Sequence, residues 1–126
     1  MCIRDSSYRG EHEKALDYYK RSLKIKEKLG DKLGMGNTLN CIGIVHANRG
    51  EYDKTLEYFD KSLKIKEEIG DKAGKGQVLN NIGIVYDYKG EYDTALEYYD
   101  RSLKIYEEIG DKSGMGYSLN SIGLVH

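Results

Sequence analysis

A self-similarity with a period of 40 residues constrains this chain more than any other feature. Asn40-Cys41-Ile42-Gly43-Ile44-Val45 returns as Asn80-Asn81-Ile82-Gly83-Ile84-Val85, and again as Asn120-Ser121-Ile122-Gly123-Leu124-Val125. Gly10-Glu11, Gly50-Glu51 and Gly90-Glu91 keep the same phase, as do Gly30-Asp31-Lys32, Gly70-Asp71-Lys72 and Gly110-Asp111-Lys112. Residues 41–80 and 81–120 agree at 26 of 40 positions. A unit this short cannot bury its own apolar face, so neighbouring units must stack and share a core. A fixed period of this size marks a solenoid.

Each period carries two helical patterns. In Glu51–Ile69, the residues Tyr52, Leu56, Phe59 and Leu63 fall along one face, and Tyr58, Ile65 and Ile69 form an adjoining stripe with Ser62 as its small gap. Such a wide apolar surface needs covering from two directions. The other helix runs from about Asp71 to Tyr88, with Val78, Leu79, Ile82, Val85 and Tyr86 as its apolar set. Proline is absent, which suits uninterrupted helices. The 15 glycines look out of place until they are mapped. Gly50 and Gly90 break the chain between paired helices, and Gly30, Gly70 and Gly110 follow helix ends. Asp31, Asp71 and Asp111 then stand where a carboxylate can cap the next helix. Gly43, Gly83 and Gly123 lie inside a helix, where glycine costs about 1 kcal/mol against alanine. Their return implies close approach by the following helix at its small residue, Ala15, Thr55 or Ala95. For the pairs at 34/36, 74/76 and 114/116 the spacing suggests only crowding between neighbouring turns.

Ile82-Gly83, then Tyr86, Gly90, Tyr92, Ala95 and Tyr99 resemble the Leu-Gly…Tyr…Gly…Tyr…Ala…Phe/Tyr signature of the tetratricopeptide repeat, lengthened from its usual period of about 34 residues. The extra length lies in the second helix and its exit, Glu107-Glu108-Ile109-Gly110-Asp111-Lys112. The pattern resembles the longer-repeat subclass found in kinesin light chains, Pins-type scaffolds and bacterial signalling proteins. The resemblance implies an all-α fold, a right-handed α-solenoid of antiparallel helix pairs with about three repeats. Ser22, Ser62 and Ser102 stand where the family usually has alanine, and the proline that commonly closes the motif is missing.

The ends read differently. Residues 1–6, Met-Cys-Ile-Arg-Asp-Ser, do not fit the repeat and resemble the translation of a sequencing-library adapter, so they are expected to be a non-native scar. The array then divides into a partial repeat over 7–32, repeats over 33–72 and 73–112, and a half repeat over 113–126. Both ends look cut, as in a fragment of a longer protein.

In the family the first helices line a concave groove. Carried over position by position, that implies Asn37, Asn40, Ile44, Ala47 and Asn48, then Gln77, Asn80, Ile84, Asp87 and Tyr88, then Tyr117, Asn120 and Leu124. Asn40, Asn80 and Asn120 form a recurring set whose amides could bond an extended peptide backbone, with Ile44, Ile84 and Leu124 as an apolar strip beside them. The competing reading is that these asparagines only bond neighbouring helices or cap turns. Chaperone-binding members hold a C-terminal carboxylate in a clamp of lysine, arginine and asparagine. Asn81 matches one clamp position, but Cys41 and Ser121 replace it elsewhere, and Ile44, Ile84 and Leu124 occupy another, so the clamp is not expected.

Charge and composition limit the other function classes. Twenty basic side chains nearly balance 21 acidic ones, so no nucleic acid is expected as partner, since such binders need a basic footprint. No apolar run approaches a membrane span. Cys2 and Cys41 make neither a disulfide framework nor a metal cluster, and Cys41 reads as a small core thiol. His46 and His126 lie two repeats apart, too far to share a metal, and their position takes the family's packing aromatic. Runs such as Lys64-Ile65-Lys66-Glu67-Glu68 read as solvated faces with i,i+4 pairs. No cofactor and no catalytic residue are implied. The chain is expected to be a scaffold module binding a protein or extended peptide. The alternatives are a spacer with end-to-end self-association of uncapped repeats, and, more distantly, an RNA-binding helical repeat.

Overall fold

The computed structural model describes residues 9–126, so the segment read as a scar, residues 1–6, lies outside the described residues. Those described form six helices: α1 (Arg9–Leu29), α2 (Lys32–Asn48), α3 (Tyr52–Ile69), α4 (Lys72–Tyr88), α5 (Tyr92–Ile109) and α6 (Lys112–Val125). No strand occurs among the described residues. Contacts divide the chain into two units that meet at Ile65 and Lys66. In the first, α1 packs on α2; in the second, α5 packs on both α4 and α6.

The turns follow from glycine and aspartate. Gly30, Gly70 and Gly110 take φ of 69°, 72° and 72°, and Gly50 and Gly90 take 75° and 80°. A side chain there meets the carbonyl that follows it, so Gly70→Ala should lower stability by about 1–2 kcal/mol in urea denaturation. Asp31, Asp71 and Asp111 accept hydrogen bonds at 3.0 Å from the backbone N–H of Gly34, Gly74 and Gly114. These caps also account for Gly34 and Gly74, and the Tyr106 ring accounts for Gly114. A Cβ on Gly74 would lie 2.3 Å from Asp71 Oδ2 and 2.8 Å from Lys66 Cδ, and one on Gly114 only 2.2 Å from Tyr106 Cδ1.

The first unit centres on Ala15, Leu16, Ile42 and Val45, with Tyr19, Leu23 and Tyr58 packed around them. In the second, Val78, Leu79, Ile82 and Val85 of α4 are buried, as are Ala95, Tyr99, Ser102 and Tyr106 of α5, the helix packed against it. Of the stripe expected in α3, Phe59 and Leu63 are buried, but Tyr52 and Leu56 are not its centre. The buried stripe runs through Thr55, Phe59, Ser62 and Lys66, with Leu63 beside it, while Tyr52 and Leu56 are only half-buried. Small residues win the central positions because the first helix comes too close for larger ones. Ser62 and Ser102 donate at 2.7 Å to the carbonyls of Gly36 and Gly76, so the serines at the family's alanine position tie paired helices together.

The mid-helix glycines are explained by the following helix, but by its aromatic more than by its small residue. A Cβ on Gly43 would lie 2.6 Å from the Phe59 ring, and one on Gly83 would lie 2.5 Å from the Tyr99 ring and 3.2 Å from the Ala95 carbonyl. Gly123 has nothing within 4 Å.

Lys66 and Tyr106 occupy one repeat position and are both buried, at 4% and 5% exposure. The reading of Lys66 as part of a solvated face is thereby corrected. Its Nζ reaches Asp71 Oδ2 at 3.0 Å, which satisfies the buried charge. Burial works against ionised Asp71, but the Gly74 amide and Lys66 outweigh it and hold its pKa below the usual value. A depressed carboxylate pKa stabilises the fold above the unfolded value of about 3.9 and loses that contribution as pH falls through the folded value. Asp71→Asn keeps a capping group, so its stability deficit should be present at neutral pH. Thermal melts should show the deficit closing as pH is lowered below about 3.9.

Candidate interaction face

The face expected to carry a ligand divides sharply by exposure. On α4, Gln77 and Tyr88 are exposed and Ile84 and Asp87 are half-buried; on α6, Tyr117, Asn120 and Leu124 are exposed. On α2, Asn37 and Asn48 are exposed, while Ile44 and Ala47 are half-buried. The side chains at 77, 84, 87 and 88 recur at helical spacing, so α4 turns one mixed polar and aromatic stripe outwards.

Asn40 and Asn80 are corrections. Both are buried, at 8% and 0% exposure, and neither presents its amide to an outside peptide. Asn80 Nδ2 donates to Ser121 Oγ at 3.4 Å, and Ser121 Oγ donates in turn to the Tyr117 carbonyl at 3.2 Å. The amide thus bridges α4 and α6, which is the reading of these asparagines as bonds between helices. Its Oδ1 is buried with no partner among the described residues. Asn120, at the same repeat position, is exposed.

Tyr99 of α5 lies beneath α4. Its ring lies against Gly83, and the residue is 1% exposed. Burial pushes its hydroxyl pKa far up, and Asp87, Tyr117 and Tyr88 push it further. Tyr106 is a second buried phenol, pushed up to about 12 by burial and then by Asp111 and Tyr117.

The remaining polar groups are structural. His46, 5% exposed, stacks on Tyr58 at 5.4 Å and shares a 2.8 Å hydrogen bond with Glu51. Tyr86 stacks on Tyr98 at 5.6 Å in the same way. The Glu51 carboxyl is held below its usual value first by that bond from His46. His126 is exposed. Cys41 is 8% exposed within α2, the small core residue that the sequence analysis describes, and Cys2 lies outside the described residues. Among the described residues no group of three or more histidine, cysteine, aspartate or glutamate side chains could hold a metal, and no helix is long and apolar enough to cross a membrane.

The sequence model described as tetratricopeptide repeat matches residues 34–108. No curated protein matches. Among solved structures, BtubC (BKLC) from P. vanneervenii superposes with a TM-score of 0.81 at 19% identity, over 92% of this chain and 49% of that one. This chain thus spans about half the length of that neighbour. At this identity the likeness is one of fold.

Proposed function

Because the chain belongs to the tetratricopeptide repeat family, whose repeats generally mediate protein–protein interactions and scaffolding, we propose that it holds an extended peptide segment of a partner protein on the outward faces of α4 and α6, the first helices of its second unit. One observation carries the reading: Tyr88 and Tyr117 stand 71% and 45% exposed on helices whose other faces are buried. Large rings held in water add little to folding, whereas aromatic side chains dominate recognition surfaces when a partner covers them. Gln77 and Asn120 border the same faces and offer donors and acceptors to a peptide backbone. Ile84 and Leu124 offer apolar contact. Asn40 and Asn80 have no part in it. The family and fold are typically those of non-enzymatic scaffolds.

Panning a random peptide library against the full chain tests the reading. Enrichment of a common motif is expected, together with its loss in an Ile84→Asp/Leu124→Asp variant that still melts like the parent. Absence of any enriched peptide would overturn it.

A further inference from the structure

The joint between α4 and α5 is built from a small set of contacts. The rings of Tyr99 and Tyr106 lie on Gly83 and Gly76, where a Cβ would come within 2.5 Å and 3.0 Å of them. Ser102 donates to the Gly76 carbonyl at 2.7 Å, and Tyr98 stacks on Tyr86 at 5.6 Å. Leu79 is fully buried. The joint between α2 and α3 repeats this pattern. Phe59 lies on Gly43, Ser62 donates to the Gly36 carbonyl at 2.7 Å, and Tyr58 stacks on His46 at 5.4 Å. In both, the first helix offers a glycine socket, a carbonyl and a ring, and the second helix supplies a ring, a hydroxyl and a stacking tyrosine.

Each side of this joint occurs once more in the chain, and among the described residues both stand open. The first-helix side is on α6, where Gly116, Leu119, Gly123 and His126 hold the repeat positions of Gly76, Leu79, Gly83 and Tyr86. Nothing lies within 4 Å of where a Cβ would stand on Gly116 or Gly123, Leu119 is 54% exposed, and His126 is exposed. The second-helix side is on α1, where Ala15, Tyr18, Tyr19 and Ser22 are identical to Ala95, Tyr98, Tyr99 and Ser102. One flank of α1 is used against α2, with Ala15 and Leu16 in the core of the first unit. The flank with the stacking tyrosine is not. Tyr18 is 67% exposed, and Tyr19 and Ser22 are only half-buried, where Tyr99 and Ser102 are fully enclosed.

We infer that the open face of α6 is a docking surface for α1 of a second copy of this chain, forming a joint built like that of α4 and α5. Tyr19 of the second copy sits on Gly123, its Ser22 hydroxyl donates to the Gly116 carbonyl, and its Tyr18 stacks on His126. The glycines decide the occupant. They leave a socket that a flat ring fills at close approach, and an interface packed to the density of a core needs the ring to match it. Phe59 and Tyr99 already fill the sockets of Gly43 and Gly83, so α1 is the described helix whose ring is free to serve. The surface is heterologous, since one copy uses α6 and the other α1. Each joined pair still carries an open α1 and an open α6, so assembly continues past the dimer. The peptide-binding residues Tyr117, Asn120 and Leu124 lie on another side of α6 by helical spacing, so the two surfaces are independent.

Sedimentation velocity of the full chain over a rising concentration series tests the inference. The mean mass should climb with concentration and pass that of a dimer. Gly123→Leu fills the socket on α6, and Ser22→Arg blocks the close approach on α1. Each variant alone should associate at least about tenfold more weakly, the loss expected when a central contact is removed. Mixed one to one, the two variants retain one intact α6 and one intact α1 between them, so the mixture should form a dimer and stop there. A parent that stays monomeric throughout overturns the inference, as does a variant that associates like the parent. A mixture that remains monomeric, or grows beyond two copies, overturns the pairing of α6 with α1. Should Ser22→Arg melt below the parent, Tyr18→Glu at an exposed position gives the same comparison on a folded chain.

Discussion

Truncating Phe59 to alanine should cost about 3–5 kcal/mol, the range for removing a fully buried aromatic ring. Phe59 is 2% exposed, and its ring fills the space over Gly43, where no other side chain can replace it. The loss is a large share of the roughly 5–15 kcal/mol that holds an ordinary domain together. The urea midpoint should therefore fall steeply. In a repeat array each unit leans on its neighbours, so the slope is also expected to fall if the first unit melts before the second. Phe59→Tyr provides the contrast. Tyr99 shows that the same backbone accepts a phenol at this position, so that change should move stability by less than about 1.5 kcal/mol. A small effect from Phe59→Ala would mean that the ring is not what joins α3 to α2.

The six helices and their turns were legible because they depend on local chemistry. Leucine and isoleucine spacing marks the helices, glycine marks each chain reversal, and aspartate marks each start. Gly70 and Asp71 do in the structure what their positions imply. The polar interior was not legible by the same means. Thr55, Ser62, Asn80 and Ser102 are fully buried, and a pattern that sorts apolar from polar places such residues outside. They are inside because a neighbouring helix supplies a partner, as Gly76 does for Ser102 and Ser121 for Asn80. Recurrence of asparagine every 40 residues suggests a recognition row, yet Asn80 is held inside by its bond to Ser121 of α6.

The candidate site was legible in a different way. Asp87, Tyr88 and Tyr117 were reached through the family's groove positions, not from periodicity, and the structure places all three outside the core. Lys66 was not legible at all. It sits in a run of alternating charges, and nothing local shows that one lysine of that run turns inwards to reach Asp71.

Gly83→Ala and Gly123→Ala should move stability in opposite directions, although they alter the same repeat position. Alanine is intrinsically better than glycine in a helix by about 1 kcal/mol, so both changes begin with a gain. At Gly83 the new Cβ would stand 2.5 Å from the Tyr99 ring and 3.2 Å from the Ala95 carbonyl. The ring is 1% exposed and has no free space to move into. Overpacking of this kind costs about 1–3 kcal/mol and, with backbone on one side of the ring and α4 on the other, should outweigh the gain. At Gly123 nothing lies within 4 Å, so the gain should survive, reduced by fraying so near the end of α6. Urea denaturation of the two variants checks the signs. Repeating Gly83→Ala in a Tyr99→Leu background completes a double-mutant cycle, in which the penalty should shrink if the ring is its source. A Gly83→Ala variant more stable than the parent would show that close approach by α5 is not what keeps glycine at this position.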